Sequence, residues 1–235
     1  MSALQPNCSM LLGTMLIVGC TERSNLTASR ALPPASFATV ASLTSVVTDP
    51  VGDLENKGGD YQDIVRAEIA RQGTNFVFVQ TLSAPVPDSP ALPSGADVIV
   101  WQFLLDTDPT ASEMGYPFTK NTSFPFEFMI QYRVYRSGFT DPLDPTSSPG
   151  VLVDRRPLLT GGQAIVTPIK TSMDGAQITF VVNGGLLGDP STFNWVSATC
   201  AAKAGDDAKN GYSNHFCFDV APDVNLGVPL ATWPQ

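Results

Sequence analysis

The fold class is decided by residues 126–136, FEFMIQYRVYR. Apolar side chains occupy every second position from Phe126 to Val134, and Glu127 and Arg133 occupy positions between them. A period of two places successive side chains on opposite faces of an extended chain. The stretch therefore predicts a β-strand that has one face in a hydrophobic core.

Further runs rich in β-branched and aromatic residues lie on both sides of this strand. They cover residues 38–47, 64–71, 75–82, 97–105, 151–154, 164–170, 177–182 and 193–199, the last of which we expect to be the final core strand. The run at 97–105 is almost continuously apolar, which predicts burial on both faces. Proline-rich residues 84–95 and residues 108–125 predict long loops. The simplest architecture is all-β, a single antiparallel β-sandwich over residues 37–235.

Composition and charge exclude several classes of function. The chain has 235 residues, of which 43% are hydrophobic and only 15% charged, so a sizeable core is expected. A net charge of −9 without a basic stripe disfavours nucleic acid as a partner. One histidine, His215, and no nucleophile–base motif favour a binding protein over an enzyme. We expect His215 in a surface loop.

The N-terminus has the pattern of an export signal. Residues 10–19, MLLGTMLIVG, form an apolar run that is too short to span a bilayer. With the following cysteine this run resembles the lipobox of bacterial lipoproteins. The resemblance implies a signal peptide at 1–19, lipid attachment at Cys20, a flexible tether at 20–36 and, from Thr21, an outer-membrane or cell-surface location. No Lys or Arg precedes the run, which departs from that pattern, and a buried apolar N-terminal element is the alternative.

Removal of Cys8 with the signal and lipidation of Cys20 would leave two cysteines, Cys200 and Cys217. In an exported protein such a pair predicts a disulfide that closes a loop over residues 201–216. A loop of this size gives about 3 kcal/mol in the chain-entropy account. Two free buried thiols are the alternative, and a zinc site is disfavoured by the single histidine.

Two acidic stretches lie where turns meet apolar runs, at residues 49–63 and 101–108. Clustered carboxylates repel one another unless a positive charge or solvent compensates, and Ca²⁺ prefers oxygen ligands. We predict a structural Ca²⁺ held by carboxylates from both stretches. The candidate ligands are Asp49, Asp53, Asp60, Asp63, Asp106 and Asp108. Aspartate-rich turns with backbone hydrogen bonds are the alternative in the first stretch, and capping of the following loop in the second.

The order of these short motifs resembles the DOMON-like superfamily. The series is DPVGD at 49–53, DI at 63–64, FVFV at 76–79, FLLDTD at 103–108, FNW at 193–195 and DVAPD at 219–223. It is similar in particular to modules related to family 9 carbohydrate-binding modules and to the C-terminal domain of glucodextranase. The resemblance implies a sandwich of jelly-roll type, calcium at loop–strand junctions and, in many members, sugar binding.

A sugar site needs aromatic faces for C–H groups and polar side chains for hydroxyls. The candidates are Tyr61, Tyr116, Phe118 and Arg133, whereas Trp101 and Trp195 are expected in the core. Covering of the sandwich edge is the alternative role for Tyr116. The predicted function is a lipid-anchored module whose partner is a polysaccharide or cell-surface glycan, and whose only membrane contact is the Cys20 lipid. A structural or protein-interaction module without a small ligand is the alternative.

Overall fold

The computed structural model describes residues 43–54, 58–108, 115–117, 123–141, 148–203 and 213–234. The predicted signal peptide, the tether, Cys20 and Phe118 lie outside the described residues. Within the described ranges no helix is long and apolar enough to cross a membrane.

Strands follow the alternating and continuous apolar runs of the sequence. Their bounds are β1 Thr44–Thr48, β2 Ile64–Gln72, β3 Asn75–Leu82, β4 Val98–Asp106, β5 Gly115–Pro117, β6 Ser123–Pro125, β7 Phe128–Tyr135, β8 Gly150–Asp154, β9 Ile165–Pro168, β10 Lys170–Asp174, β11 Gln177–Asn183, β12 Phe193–Lys203, β13 Ser213–Ala221 and β14 Ala231–Trp233. Short 3₁₀ helices occupy Asp60–Gln62, Arg156–Thr160, Gly184–Leu187 and Val224–Leu226.

Two antiparallel sheets form the body of the molecule. The first has the strand order β1-β2-β3-β11-β10. The second has the order β13-β12-β4-β7-β8-β9, and β14 also pairs with β12. Strands β5 and β6 pair only with each other. This arrangement confirms the predicted antiparallel β-sandwich.

Aromatic side chains from both sheets fill the space between them. The Phe103 ring of β4 lies 5.3 Å from Phe78, 5.9 Å from Phe180 and 5.8 Å from Trp195, measured between ring centroids. All four residues are fully buried, as is Trp101. Offset and edge-to-face ring pairs add to the free energy gained by burying their area. The predicted core positions of Trp101 and Trp195 are confirmed.

Strand β4 is buried along its whole length, as its continuous apolar run predicts. Its odd-numbered residues from Ile99 to Leu105 face the core between the sheets, and Val98, Val100 and Leu104 belong to a second buried cluster. Both faces of the second sheet therefore carry buried apolar side chains at this strand.

Several sequence expectations about individual elements are wrong. The run at 193–199 is not the final core strand, because β13 and β14 follow it and both pair with β12. His215 lies within β13 and not in a loop. The predicted 108–125 loop includes the β5–β6 pair. Residues 164–170 divide into β9 and the start of β10, since the chain passes there from one sheet to the other.

The predicted disulfide joins Cys200 to Cys217, which are opposite each other on β12 and β13. Cys200 is fully buried, and the side-chain amide of Gln102 donates to its Sγ at 3.3 Å. The bridge therefore fixes the edge strand β13 to its neighbour β12.

Replacement of both cysteines, Cys200→Ala with Cys217→Ala, is expected to lower the free energy of unfolding by about 3 kcal/mol, because the unfolded chain regains the freedom of a closed loop. Denaturant unfolding of the oxidised protein and of the double variant measures the difference. The reduced wild type serves as the control and should unfold close to the variant. Equal midpoints for the oxidised wild type and the variant would contradict this contribution.

Candidate metal centre

A group of carboxylates lies where the two sheets meet at one edge. Asp49, Asp53 and Asp219 each present an oxygen, and these oxygens lie within 4.8 Å of one another. We call these three residues the acid cluster. Asp49 follows β1 of the first sheet, Asp53 lies four residues further on, and Asp219 belongs to β13 of the second sheet. The cluster therefore draws its carboxylates from the edges of both sheets.

The turn after β1 places two of these carboxylates. Asp49 continues the β1–β2 pairing by donating its backbone N–H to the carbonyl of Val65 at 3.1 Å. Gly52 then adopts a φ of +83°, a left-handed conformation that suits glycine, and turns the chain back towards the cluster. The backbone N–H of Gly52 donates to Asp63 Oδ2 at 2.9 Å, which fixes the turn against the start of β2.

Residues 60–63 are anchored to the second sheet by two buried side chains. Trp101 Nε1 donates to the carbonyl of Tyr61 at 3.1 Å, and the Thr199 hydroxyl donates to the carbonyl of Gln62. Trp101 and Thr199 are paired on β4 and β12, and Thr199 is in turn paired with Asp219. The same row of the sheet therefore holds this segment and supplies one carboxylate of the cluster.

Asp219 is buried, at 3% exposure, and its two oxygens accept backbone hydrogen bonds. Oδ2 accepts from the N–H of Ile64 at 2.5 Å, and Oδ1 accepts from the N–H of Val220 at 2.8 Å. Burial nevertheless outweighs these two bonds and, with the nearby charges of Asp53 and Asp63, raises the pKa of Asp219 to about 7.

Asp49 is the more strongly perturbed group. Burial, followed by the charges of Asp219, Asp53, Asp223 and Asp63 in that order, raises its pKa to about 8. Its Oδ2 and the Oδ1 of Asp53 are buried and have no hydrogen-bond partner among the described residues. No Lys or Arg in the described part of the chain forms an ion pair with the three cluster carboxylates.

Asp63 adjoins the cluster and is 2% exposed. Its Oδ2 accepts from Gly52, whereas its Oδ1 is buried without a partner among the described residues. A carboxylate that is almost completely buried and has one unsatisfied oxygen is costly. A cation beside Asp49 and Asp53 would compensate that cost, so Asp63 is a further candidate donor beside the acid cluster.

The predicted metal ligands therefore do not all lie together. Asp49, Asp53 and Asp63 come together, but Asp60 is exposed, and its backbone carbonyl accepts from Ser83 Oγ and from the N–H of Asp63. Asp106 lies five residues along β4 from Trp101, about 17 Å further in the strand direction. Its neighbours are Asp108 and Glu127, not the cluster.

Asp106, Asp108 and Glu127 form a second acidic group with a different environment. Glu127 Oε2 accepts from the N–H of Thr107 at 2.7 Å, from its hydroxyl at 3.1 Å and from the N–H of Asp108 at 3.3 Å. Asp106 Oδ2 accepts from the amide of Asn194 at 3.2 Å. Burial raises the pKa of both Asp106 and Glu127. Glu127, and Asp106 through the backbone N–H of Asp108, therefore cap the turn that follows β4.

The residues predicted for sugar binding do not assemble into a site in the described part of the chain. Arg133 is 3% exposed and pairs with Asp141 at 3.2 Å, so it stabilises the sheet instead of facing a ligand. Tyr61 is half-buried against Trp101, with ring centroids 6.5 Å apart. Tyr116 lies on β5, and its side chain lies outside the description, as does Phe118.

Asp219 is the cluster residue that the pattern of the acidic stretches did not include. Its signal is an aspartate inside the apolar stretch 216–221, FCFDVA, where a carboxylate needs a specific reason to be present. Sequence separation hid the grouping, because Asp219 lies 170 positions after Asp49.

Comparison with known proteins gives no independent information about a metal centre. No protein-family model matches the chain, and no curated protein matches its sequence. The case for a metal centre therefore depends on the placement, burial and unsatisfied oxygens of the acid cluster.

The raised pKa values predict how the metal-free protein responds to pH. Each of these two groups has a folded-state pKa above the ordinary value of 3.8. Its contribution to stability is fully present below pH 3.8 and is lost as the pH rises through the folded-state pKa. In EDTA, the free energy of unfolding should therefore fall between pH 5 and pH 8.5. Denaturant titrations across this range measure the slope.

Asp49→Asn should flatten this slope and make the metal-free protein more stable at pH 8, because a neutral amide removes the repulsion. Asp88→Asn, at an exposed position, is the matched control and should keep the wild-type slope. A slope that is the same in all three proteins would show that the cluster is not the titrating group.

Proposed function

We propose that the chain is an exported, lipid-anchored binding module whose two sheets are joined by one Ca²⁺ at the acid cluster, and whose ligand is a carbohydrate. The carrying observation is the convergence of three carboxylate oxygens from two sheets without a basic partner in the described residues. A folded protein does not gain from collecting such charges unless something positive neutralises them.

The donor set favours Ca²⁺ over other metals. All candidate donors are carboxylate oxygens, whereas zinc prefers nitrogen and sulfur, and Mg²⁺ demands a small, regular octahedron. Ca²⁺ binds oxygens at about 2.4 Å, so two ligands of one ion lie at most about 5 Å apart. The 4.8 Å limit on the cluster oxygens agrees with this requirement.

Asp49, Asp53 and Asp219 would hold the ion, and Asp63 would supply the nearest additional oxygen. The ion would replace the missing positive charge and reverse the electrostatic cost of this edge. Its role is structural, because it ties the turn after β1 to β13 and contributes no reacting group.

Carbohydrate as the ligand is supported by the order of motifs that resembles DOMON-like modules and by the predicted export to the cell surface. The lipobox-like residues 17–20 support attachment through Cys20. Each of these supports is a sequence argument, and the glycan test below examines the ligand directly.

A protein-interaction module with the same structural Ca²⁺ is the second candidate. The observation that favours it is the exposure of apolar residues on the loops that carry the acidic residues. Val51 is 74% exposed between Asp49 and Asp53, and Leu226 is 80% exposed just after Asp223. Large apolar side chains this exposed are available for contact with a partner protein.

Calcium is expected to raise the melting temperature of the EDTA-treated protein, because an ion that binds only the folded state stabilises it by mass action. At one hundred times the dissociation constant the gain is about 2.7 kcal/mol. Asp53→Asn and Asp219→Asn should abolish the response, and Asp88→Asn should retain it. A melting temperature that calcium does not change in the wild type would contradict the ion.

The purified module is expected to retain at least one glycan class on a glycan array, in calcium and more weakly in EDTA. Calcium dependence follows if the ion holds the loops in the conformation that binds. The protein could show the full rise in melting temperature with calcium and still retain no glycan. That result would refute the carbohydrate ligand and favour the interaction module.

A further inference from the structure

A cleft opens at the other end of β4, away from the acid cluster. It has a volume of 370 Å³ and lies between the turn after β4, the start of β7 and the loops that follow β8 and β11. This volume is within the range of about 300–1,000 Å³ that is usual for small-molecule sites. We call it the Glu127 cleft, after the buried carboxylate in its lining.

The acidic side of the Glu127 cleft is held rigidly. Glu127 is 2% exposed and accepts three hydrogen bonds from Thr107 and Asp108, which both line the cleft. In this conformation the Thr107 hydroxyl donates its one proton to Glu127. Its oxygen can therefore act towards a ligand only as a hydrogen-bond acceptor. Thr107 therefore presents an acceptor in a fixed position, and Asp108 adds a carboxylate on the same side of the cleft.

The opposite side presents a fixed donor. Arg156 Nε and Nη2 donate to the two oxygens of Asp154 at 2.9 and 2.7 Å, and the guanidinium lies 4.6 Å from the centroid of the Phe128 ring. A bidentate pair and a stacked ring leave the guanidinium little rotational freedom. Its Nη1 borders the cleft at Gly188, where a Cβ would lie 3.8 Å from it.

Apolar side chains complete the walls. Leu187 is buried beneath the cleft, and Pro190 is half-buried. Leu159 lies on the 3₁₀ helix that begins at Arg156 and is 47% exposed. Contact of a large apolar side chain with water does not stabilise the fold. Its exposed face is available to the C–H groups of a bound molecule.

The charges of the lining select the chemistry of the ligand. Asp108 and Glu127 repel an anion, and the Arg156 guanidinium repels a divalent metal ion. The Thr107 acceptor, the Asp108 carboxylate, the fixed Arg156 donor and the aliphatic walls instead match a neutral molecule that carries hydroxyl groups on a C–H framework.

We propose that the Glu127 cleft is the sugar-binding subsite and holds one neutral pyranose unit, an inference that rests on the proposed carbohydrate-binding function. Leu159 and Pro190 pack against C–H groups of the ring. Arg156 Nη1 donates to one sugar oxygen, and Asp108 and the Thr107 oxygen accept from sugar hydroxyls. The site uses none of the residues of the acid cluster.

The test uses the calcium-loaded protein on a glycan array of neutral, amino-sugar and uronic-acid oligosaccharides, followed by calorimetric titration of the best retained soluble oligosaccharide. Leu159→Ala and Arg156→Lys alter the cleft at exposed side chains. Each is expected to weaken binding about tenfold, by loss of an apolar contact or of the fixed Nη1 donor. Ile165→Ala removes a comparably exposed apolar side chain, 54% exposed on β9 and outside the cleft lining, and should bind as the wild type does.

The outcomes separate the cleft from the broader function. The subsite is supported if the wild type retains neutral glycans and both cleft variants bind them more weakly. Both variants should keep the melting temperature of the wild type. Glycan binding that neither variant weakens, or binding of uronic-acid glycans alone, overturns the subsite and leaves carbohydrate binding in place. Failure of the wild type to bind any glycan overturns both.

Discussion

The hydrogen bond from the backbone N–H of Ile64 to Asp219 Oδ2 is the contact that the architecture of this edge depends on. It joins the first residue of β2 to β13, and these strands belong to different sheets. A buried hydrogen bond to a charged acceptor is stronger than one between neutral groups, and loss of its partner leaves an unsatisfied buried group. Once the bond forms, Asp219 lies beside Asp63 and faces the turn that carries Asp49 and Asp53.

Polar contacts of this kind fix how the sheets are placed, whereas the aromatic core supplies most of the driving force for their association. The Phe103 ring and its three ring neighbours would bury similar area after small shifts of one sheet across the other. Directional bonds do not tolerate such shifts. Gln80 Nε2 donates to Ser197 Oγ at 3.0 Å, and Trp195 Nε1 donates to Ser45 Oγ at 3.0 Å, both between the sheets. With the Ile64–Asp219 bond they define one register.

The sequence predicted the fold class well and the site only in part, for physical reasons that differ. Alternation in β7 and continuous burial in β4 are local patterns, so they could be read from residues 126–136 and 97–105. Strand β13 was missed because its residues include polar side chains and a histidine that interrupt any simple alternation.

The grouping of carboxylates depended on topology and not on local pattern. Asp49 and Asp63 are brought together by the β1–β2 pairing, which sequence spacing suggests. Asp219 joins them only because β13 is the edge strand beside β12. Arg133 shows the same limit: its alternating position allowed a ligand-facing side chain, but its partner Asp141 lies past the end of the strand and keeps it buried. No local pattern distinguishes these two outcomes.

The two acidic groups illustrate how surroundings, and not residue type, determine what a carboxylate can bind. In the acid cluster, burial and mutual repulsion act together, and the described surroundings offer no cation, so a proton or a metal ion must compensate. Around Glu127, three donors already satisfy one oxygen. The hydrogen bonds and charge of Asp154, with a smaller contribution from the charge of Glu127, raise the pKa of the nearby Arg156. A divalent ion would gain less there and would meet that guanidinium. Carboxylates therefore carry both proposals, a metal centre at one end of the sandwich and recognition of neutral hydroxyl groups at the other.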